Sequence, residues 1–432
     1  MINKTNLLSS LATAFLLVFL FLQPFGKSYW LPAIGILVCG VVWYFQAPNR
    51  AALLNSQLLR WWLFLGACFL LPALTSLITS IDTSRTLKYI STYPLFMLLG
   101  LSTALLIKIS PRAINGFVVL LAFWALTVMI QFFDPEWNPF GPRSAYTQGV
   151  FSESFSGSLM IGMVIGPMLT ILVFWYVNER KYLWVLASFL TVAVLDVLSG
   201  TRAALIAPLV TLPILIVYLI YQHELSIKHF VVGMIFLFTL TYVMYFFSYQ
   251  TSFGSKIDDV YSALINFDFY NINRALSGRL DIWKDAVNVG LLSPFTGVGA
   301  DNFRFAQPLV APPDSIWVKD VVIDGETRLR GAFHTHQFVM DAWAGSGVFG
   351  IIGLVLFYLG LSFLLIKAFR LRDAVSVGAV VAVWVVVFPL SVHNNLFGSW
   401  MTAWIWIWLG LALGTIYRSQ LRLEAFKFDV VE

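Results

Sequence analysis

Two arginines and two of the chain's five histidines stand in the short run RLRGAFHTH, residues 328–336, just ahead of a long apolar stretch that begins near Val348. The forked guanidiniums of Arg328 and Arg330 match phosphate oxygens and stay charged in any surroundings. Imidazole titrates nearest neutrality, which makes His334 or His336 a general base for a sugar hydroxyl. Such groups are scarce here, since 59% of residues are hydrophobic and 11% charged. Gathered at a membrane surface, they point to chemistry on a lipid-linked anionic substrate. Three other readings compete: a buried structural histidine, a basic loop resting on acidic glycolipid, and a metal site. The last lacks both a cysteine ligand and H-x-x-x-H spacing, so no metal is expected.

Other residues offer related chemistry. Arg202, in LSGTRAALIAP, falls in a tight turn after Ser199, Gly200 and Thr201, where backbone amides at a helix start assist in holding phosphate. Its alternative role is a snorkelling interfacial arginine. Asp196, six residues earlier, is an intramembrane carboxylate that is either functional or paired with an arginine. Arg279, in SGRLDIW, is an anion ligand or part of a solvated helix face, and Arg274 shares that region. Arg85 and Lys88, in DTSRTLK, are secondary phosphate contacts or interfacial anchors. His393, in SVHNN, is a third histidine expected on the same side. A Walker loop, a G-x-G-x-x-G before a helix and a D-x-D pair are all missing, so nucleotide-driven or metal-dependent sugar transfer lacks its usual signals, and no cofactor is expected.

The elements that must position these groups are membrane helices. A mean hydropathy of +0.82, with 38 Phe and 16 Trp, excludes an ordinary soluble domain. Repeated apolar runs of about 20 residues match the bilayer, where backbone amides must pair locally. The fold class is therefore all-α, a polytopic membrane protein. Twelve spans are expected: 6–24, 29–47, 61–80, 89–107, 114–133, 157–177, 182–199, 203–221, 230–249, 347–367, 374–392 and 398–417. The first reads as a retained helix rather than a cleaved signal. With the N-terminus inside, fourteen Lys and Arg fall in inner loops and ends, against five in the short outer loops. That asymmetry orients the chain with both termini cytoplasmic. Cys39 and Cys68 lie within spans and imply no disulfide.

Three regions follow: 1–249 with nine spans, 250–346 as a long outer catalytic loop, and 347–432 with three spans and a cytoplasmic tail. Within the loop the spacing of Leu276, Leu280, Trp283 and Val287 predicts an amphipathic helix over 273–291, with Arg279, Lys284 and Asp285 mostly off the apolar stripe. Pro294, Gly297 and Gly299 end it in a turn. Pro308, Pro312 and Pro313 make the next stretch irregular, and a helix resumes around His336. No internal repeat is visible.

Three features together resemble the bacterial O-antigen ligase superfamily, which includes ligases, O-antigen polymerases and some protein O-oligosaccharyltransferases. One is the late outer loop between spans nine and ten. The second is the arginine pair of SGTR (Arg202) and SGR-L-x-x-W (Arg279, Trp283), followed by P-x-x-G-V-G (Pro294, Gly297, Gly299). The third is H-x-x-x-[hydrophobic]-x6-G-x2-G, which fits His336, Met340, Gly347 and Gly350. The chain departs from the family at Gln337, usually Ser or Asn, and at Gly345, often Glu in relatives. The resemblance implies a metal-independent, inverting glycosyltransferase of the membrane-embedded C type in a Gram-negative inner membrane, working at the periplasmic face. Its donor would be an undecaprenyl-diphosphate-linked O-antigen and its acceptor a hydroxyl of lipid A–core, in lipopolysaccharide biosynthesis. His336 would be the base, and Arg202 and Arg279 would hold the diphosphate. Arg328, Arg330, His334, Arg274 and Arg85 are the further substrate contacts expected. RLRGA ahead of H-x-H favours a ligase over a polymerase, whose acceptor is a second lipid-linked glycan. A transporter or flippase is the reading from another class. Nucleic acid is not an expected partner.

Overall fold

The computed structural model describes residues 4–23, 26–46, 53, 56–133, 159–199, 206–223, 258–259, 261–263, 265–323, 326–389 and 395–429. Arg202, His393 and the expected ninth span at 230–249 lie outside them, as do the side chains of Asp196 and Ser199.

Apolar sequence with locally paired amides yields helices throughout. They run α1 Lys4–Leu22, α2 Trp30–Gln46, α3 Gln57–Thr75, α4 Thr83–Leu106, α5 Pro111–Phe133, α6 Leu159–Asn178, α7 Tyr182–Ser199 and α8 Ile206–Tyr221. Beyond these come α9 Phe269–Ala275, α10 Arg279–Leu292, the single turn α11 Phe303–Ala306, α12 Phe338–Arg370, α13 Ala374–Val386 and α14 Ser399–Asp429. Five of the described helices are long and apolar enough to cross a membrane: Lys27–Gln46, Gln57–Thr79, Thr83–Leu106, Phe338–Arg370 and Ser399–Glu424. The other apolar helices are shorter than that over their described extent. The protein is thus a predominantly helical membrane protein.

A two-stranded antiparallel hairpin interrupts the helical pattern: β1 Lys319–Ile323 and β2 Glu326–Arg330, with Val321 opposite Arg328 and Lys319 opposite Arg330. The prolines at 308, 312 and 313 obscure it in the sequence. Side chains alternate along a strand, so Arg328 and Arg330 share one face of the hairpin.

The hub of the bundle is α14. Among its buried side chains are Trp404, Trp406 and Trp408, and it packs along α4 and α13. Arg418 on α14 donates to the carbonyls of Ala104 and Ile107 at 2.8 and 2.7 Å. It thereby satisfies acceptors left open at the end of α4. Helix α13 also packs on α6, and α12 lies along α3. The segment from the end of α3 to the start of α4, with the start of α12, forms the floor on which residues 297–302 sit. Cys39 and Cys68 are buried and free.

Candidate functional site

Helix α10 forms one wall. Ser277 and Gly278 adopt left-handed backbone (φ 58° and 77°), which splits the expected 273–291 helix into α9 and α10. Asn273 bridges the break. Its side-chain carbonyl accepts from the Leu280 amide at 3.0 Å and its amide donates to Asp281 at 2.8 Å. Arg279 therefore opens α10, with Nη1 3.5 Å from the Leu276 carbonyl. The buried face of α10 is Ile282, Ala286 and Val289, packed with Val298, Phe303 and Ala344. It is rotated from the expected stripe, and Val287 is exposed. Asp285, read as off the stripe, is buried, because Gln307 donates to it at 2.7 Å. A paired carboxylate is tolerated in such a place. The other end of the Gln307 amide accepts from the Ala332 N–H at 2.7 Å, so one side chain ties α10 to the strip that leads into the histidines.

The histidine turn is held from several directions. Trp283 donates from Nε1 to the Thr335 carbonyl at 3.1 Å, giving the SGR-L-x-x-W pattern a geometric purpose. Asp341, on the first turn of α12, accepts from the Thr335 amide at 3.0 Å and hydroxyl at 2.7 Å, and from the Leu396 amide at 2.8 Å. Gln337 is the N-cap of α12. Its Oε1 accepts from the Met340 amide at 2.7 Å and its Nε2 donates to the Pro389 carbonyl at 2.8 Å. The departure from Ser or Asn thus still provides a side chain that caps a helix.

Between these fixed points His336 takes a left-handed conformation, φ 60°. That region is uncommon for a residue bearing a Cβ and persists only where surroundings enforce it. The His336 amide donates to His334 Nδ1 at 3.0 Å, and the two rings lie 4.0 Å apart. His334 is therefore a structural partner of His336 in this arrangement. Burial, and next the Arg279 guanidinium, hold His336 down to about 4, so the ring is neutral near neutrality. Its Nδ1 is buried and, among the described residues, makes no hydrogen bond.

The glycines ahead of the membrane run explain themselves through a break in α12. Gly347 has φ 59° and ψ −147°, which no helix contains. The break frees the carbonyls of Ala344 and Gly345 and the amides of Val348 and Phe349. The strip 294–299 answers all four. Val298 and Gly299 donate to the two carbonyls at 2.9 and 3.0 Å, and the two amides donate to Pro294 and Phe295 at 2.8 and 3.2 Å. A Cβ on Gly347 would sit 2.5 Å from the Pro294 carbonyl oxygen, and one on Gly297 would sit 2.3 Å from the Ser346 nitrogen. Gly350 faces the Ala342 carbonyl just as closely, and Gly345 abuts the Phe397 ring. Asn302, fully buried, then pins the strip to the membrane body by donating to Ser80, the Asp82 carbonyl and Thr86 at 2.8, 3.1 and 3.1 Å.

A second cationic centre lies beside this one. Arg85 and Arg304 each reach Asp301 at 3.2 Å, and Arg85 is 3.7 Å from Asp82. The guanidiniums of Arg85, Arg330 and Arg304 lie 5.0, 5.3 and 6.0 Å from the centre of the Phe305 ring, and Arg304 also covers Phe333 at 4.8 Å. Burial pulls Arg304 below the usual guanidinium value, and Arg85 and Arg330 add to it against Asp301. Arg328 is exposed on the same hairpin face. Arg274 pairs instead with Asp259 at 2.6 Å on an exposed surface. Among the described residues no group of three or more His, Cys, Asp or Glu side chains is placed to hold a metal.

The structure thus brings Arg279, His334 and His336 together and gathers Arg85 with Arg330 alongside. Sequence reasoning missed Arg304, Asn302, Thr335 and Asp341. Asp341 carried a usable signal, as a lone acid at the head of a long apolar helix. Residues 187–355 match the model of a family described as O-antigen ligase, a segment that contains Arg202, Arg279, His336 and the glycines of the break. This match supports the O-antigen ligase superfamily, whose members are glycosyltransferase-like ligases and polymerases acting on lipid-linked glycans. No curated protein matches the chain.

Proposed function

We propose that the protein is an O-antigen ligase of the bacterial inner membrane. It would transfer a glycan from undecaprenyl diphosphate to a sugar hydroxyl of lipid A–core at the periplasmic face. The observation that carries this reading is His336: neutral, held in a left-handed turn by Trp283 and Asp341, and within the field of Arg279. A neutral imidazole is ready to accept a proton, and a guanidinium beside it suits the diphosphate of the donor.

In this reaction the acceptor oxygen forms a bond to the donor's anomeric carbon while the bond from that carbon to the diphosphate oxygen breaks. The hydroxyl proton passes to His336, and the electron pair of the broken bond leaves with the polyprenyl diphosphate. Arg279 stabilises the charge developing there, with Arg202 as its expected companion. Attack from the face opposite the diphosphate inverts the anomeric centre. The imidazolium returns its proton to solvent before the next cycle.

The test uses purified full chain in liposomes with lipid-linked O-antigen and lipid A–core, without nucleotide and with a chelator. Wild type is expected to form ligated product. Folded His336→Ala should lose it by about 10²–10⁴-fold, the range for removal of a positioned base. Lengthening of the lipid-linked glycan instead would assign the chain to the polymerases. Movement of donor across the bilayer without a new glycosidic bond would assign it to transport.

A further inference from the structure

We propose that Arg85, Arg304 and Arg330, ranged around the rings of Phe305 and Phe333, form a subsite for an anionic group, phosphate or carboxylate, on the acceptor glycan. The identity of the bound molecule rests on the transfer reading above; the anion chemistry does not.

Charge balance supplies the first reason. Two of the three guanidiniums, Arg85 and Arg304, share one carboxylate, Asp301, and Asp82 reaches only Arg85. Arg330 lies over a ring face and forms no ion pair among the described residues. An aromatic face attracts a cation but accepts no in-plane hydrogen bond from its fork. The Nε atoms of Arg304 and Arg330 are both buried and make no hydrogen bond among the described residues. Clustered, partly desolvated cations are costly unless an anion offsets them. An oxyanion would answer the Arg330 fork, which Asp301 and Asp82 leave without an ion pair, and would add to the charge balance of its two neighbours.

Position supplies the second. The Gly331 amide donates to the Arg304 carbonyl at 2.8 Å, so the strip leaving β2 is laid on the Arg304 turn. That strip runs from Arg330 to His336 in six residues, which spans at most about 20 Å even fully extended. A short oligosaccharide covers that reach. Phe333, 70% exposed, offers a flat apolar face of the kind that sugar C–H groups stack on. The charged neighbour that lowers the His336 value is Arg279, and Arg85 and Arg330 are among those that lower Arg304. With the donor diphosphate at Arg279, the second cationic centre is left to the acceptor.

The experiment measures binding of lipid A–core to the full chain in nanodiscs. The probe is used as isolated, after phosphatase treatment, and after carbodiimide amidation of its carboxylates, which separates the two sources of anionic oxygen. Transfer rates against acceptor concentration are recorded in parallel. Wild type should bind one of the two treated forms about tenfold more weakly, the scale of one charge-assisted hydrogen bond. In Arg330→Gln that discrimination should vanish through loss of affinity for the intact form. Arg330→Lys, which keeps the charge without the fork, should lie between and serves as the test if the glutamine variant does not fold. Equal affinity of wild type for all three forms overturns the proposal, as does equal loss for all three in the variant, which would mark the cluster as a docking contact. A raised donor KM with acceptor discrimination intact would reassign the cluster to the diphosphate. Anion-dependent binding without any transfer would leave the subsite standing and remove the ligase reading.

Discussion

At the scale of single residues, His336 combines a low proton affinity with a strained backbone, and each has a measurable consequence. Its value of about 4 lies below the roughly 6.5 of an unfolded histidine. Between those values the unfolded chain binds the extra proton, so folding stability should fall as pH drops from about 6.5 to about 4. That slope should flatten in His336→Gln when thermal unfolding is followed across the range. Donor binding should act in the opposite sense on the same group. A diphosphate on Arg279 offsets the cationic charge that helps suppress the imidazole, so His336 becomes a stronger base in the complex. The acid limb of kcat should therefore lie at higher pH than that of kcat/KM for the donor; coincident limbs would separate Arg279 from the diphosphate. The scarcity of imidazole and guanidinium draws attention to His334, His336 and Arg279 as candidates, but only the resemblance of the H-x-x-x-[hydrophobic]-x6-G-x2-G and SGR-L-x-x-W patterns singles out His336 and Arg279. Arg304 was not legible, since nothing in NFRF distinguishes an exposed arginine from one folded over two phenyl rings.

At the scale of elements, the site is a turn clamped between α10 and α12. Trp283→Phe keeps the ring but removes the hydrogen bond to Thr335, a loss of about 1 kcal/mol. The expected result is a several-fold lower kcat with little change in melting temperature, measured on the same detergent-solubilised preparation. Gly347→Ala should do more. It places a Cβ at φ 59° against the Pro294 carbonyl, costing roughly 1–3 kcal/mol from the backbone alone. Lower thermal stability and lost transfer should appear together there, whereas an unaffected Tm would show that the strip 294–299 yields easily. The positions of the glycines could be read in the sequence as a motif, but their cause could not. The four backbone groups freed by the break are matched by a strip distant in the chain, and only the three-dimensional pairing shows it. The buried face of α10 was misplaced for a similar reason: Asp285 enters the core because Gln307 waits there, and periodicity counts it as polar.

At the scale of the whole molecule, helical membrane character followed from composition, while the hairpin and the central place of α14 did not. A helix surrounded by other helices and one facing lipid have similar hydropathy. The orientation drawn from the distribution of lysine and arginine is testable with single cysteines. The native Cys39 and Cys68 are buried and give little background. In right-side-out spheroplasts, Asp314→Cys should react with a membrane-impermeant maleimide and Arg422→Cys should not. The reverse pattern would invert the assignment of the site to the periplasm.

The broken α12 bears on how the protein is made. The strip 294–299 is synthesised before the helix whose freed carbonyls and amides it satisfies. At a translation rate of about 5–20 residues per second, it waits on the order of seconds for its partner. The groove from Ser80 to Thr86 already exists by then and can receive Asn302 first. The histidine turn acquires its shape only when Asp341 and Gln337 arrive with α12. The nascent chain therefore passes through a stage in which the strip can be docked while the histidine turn is still unformed, and the turn closes only once the start of α12 has been made.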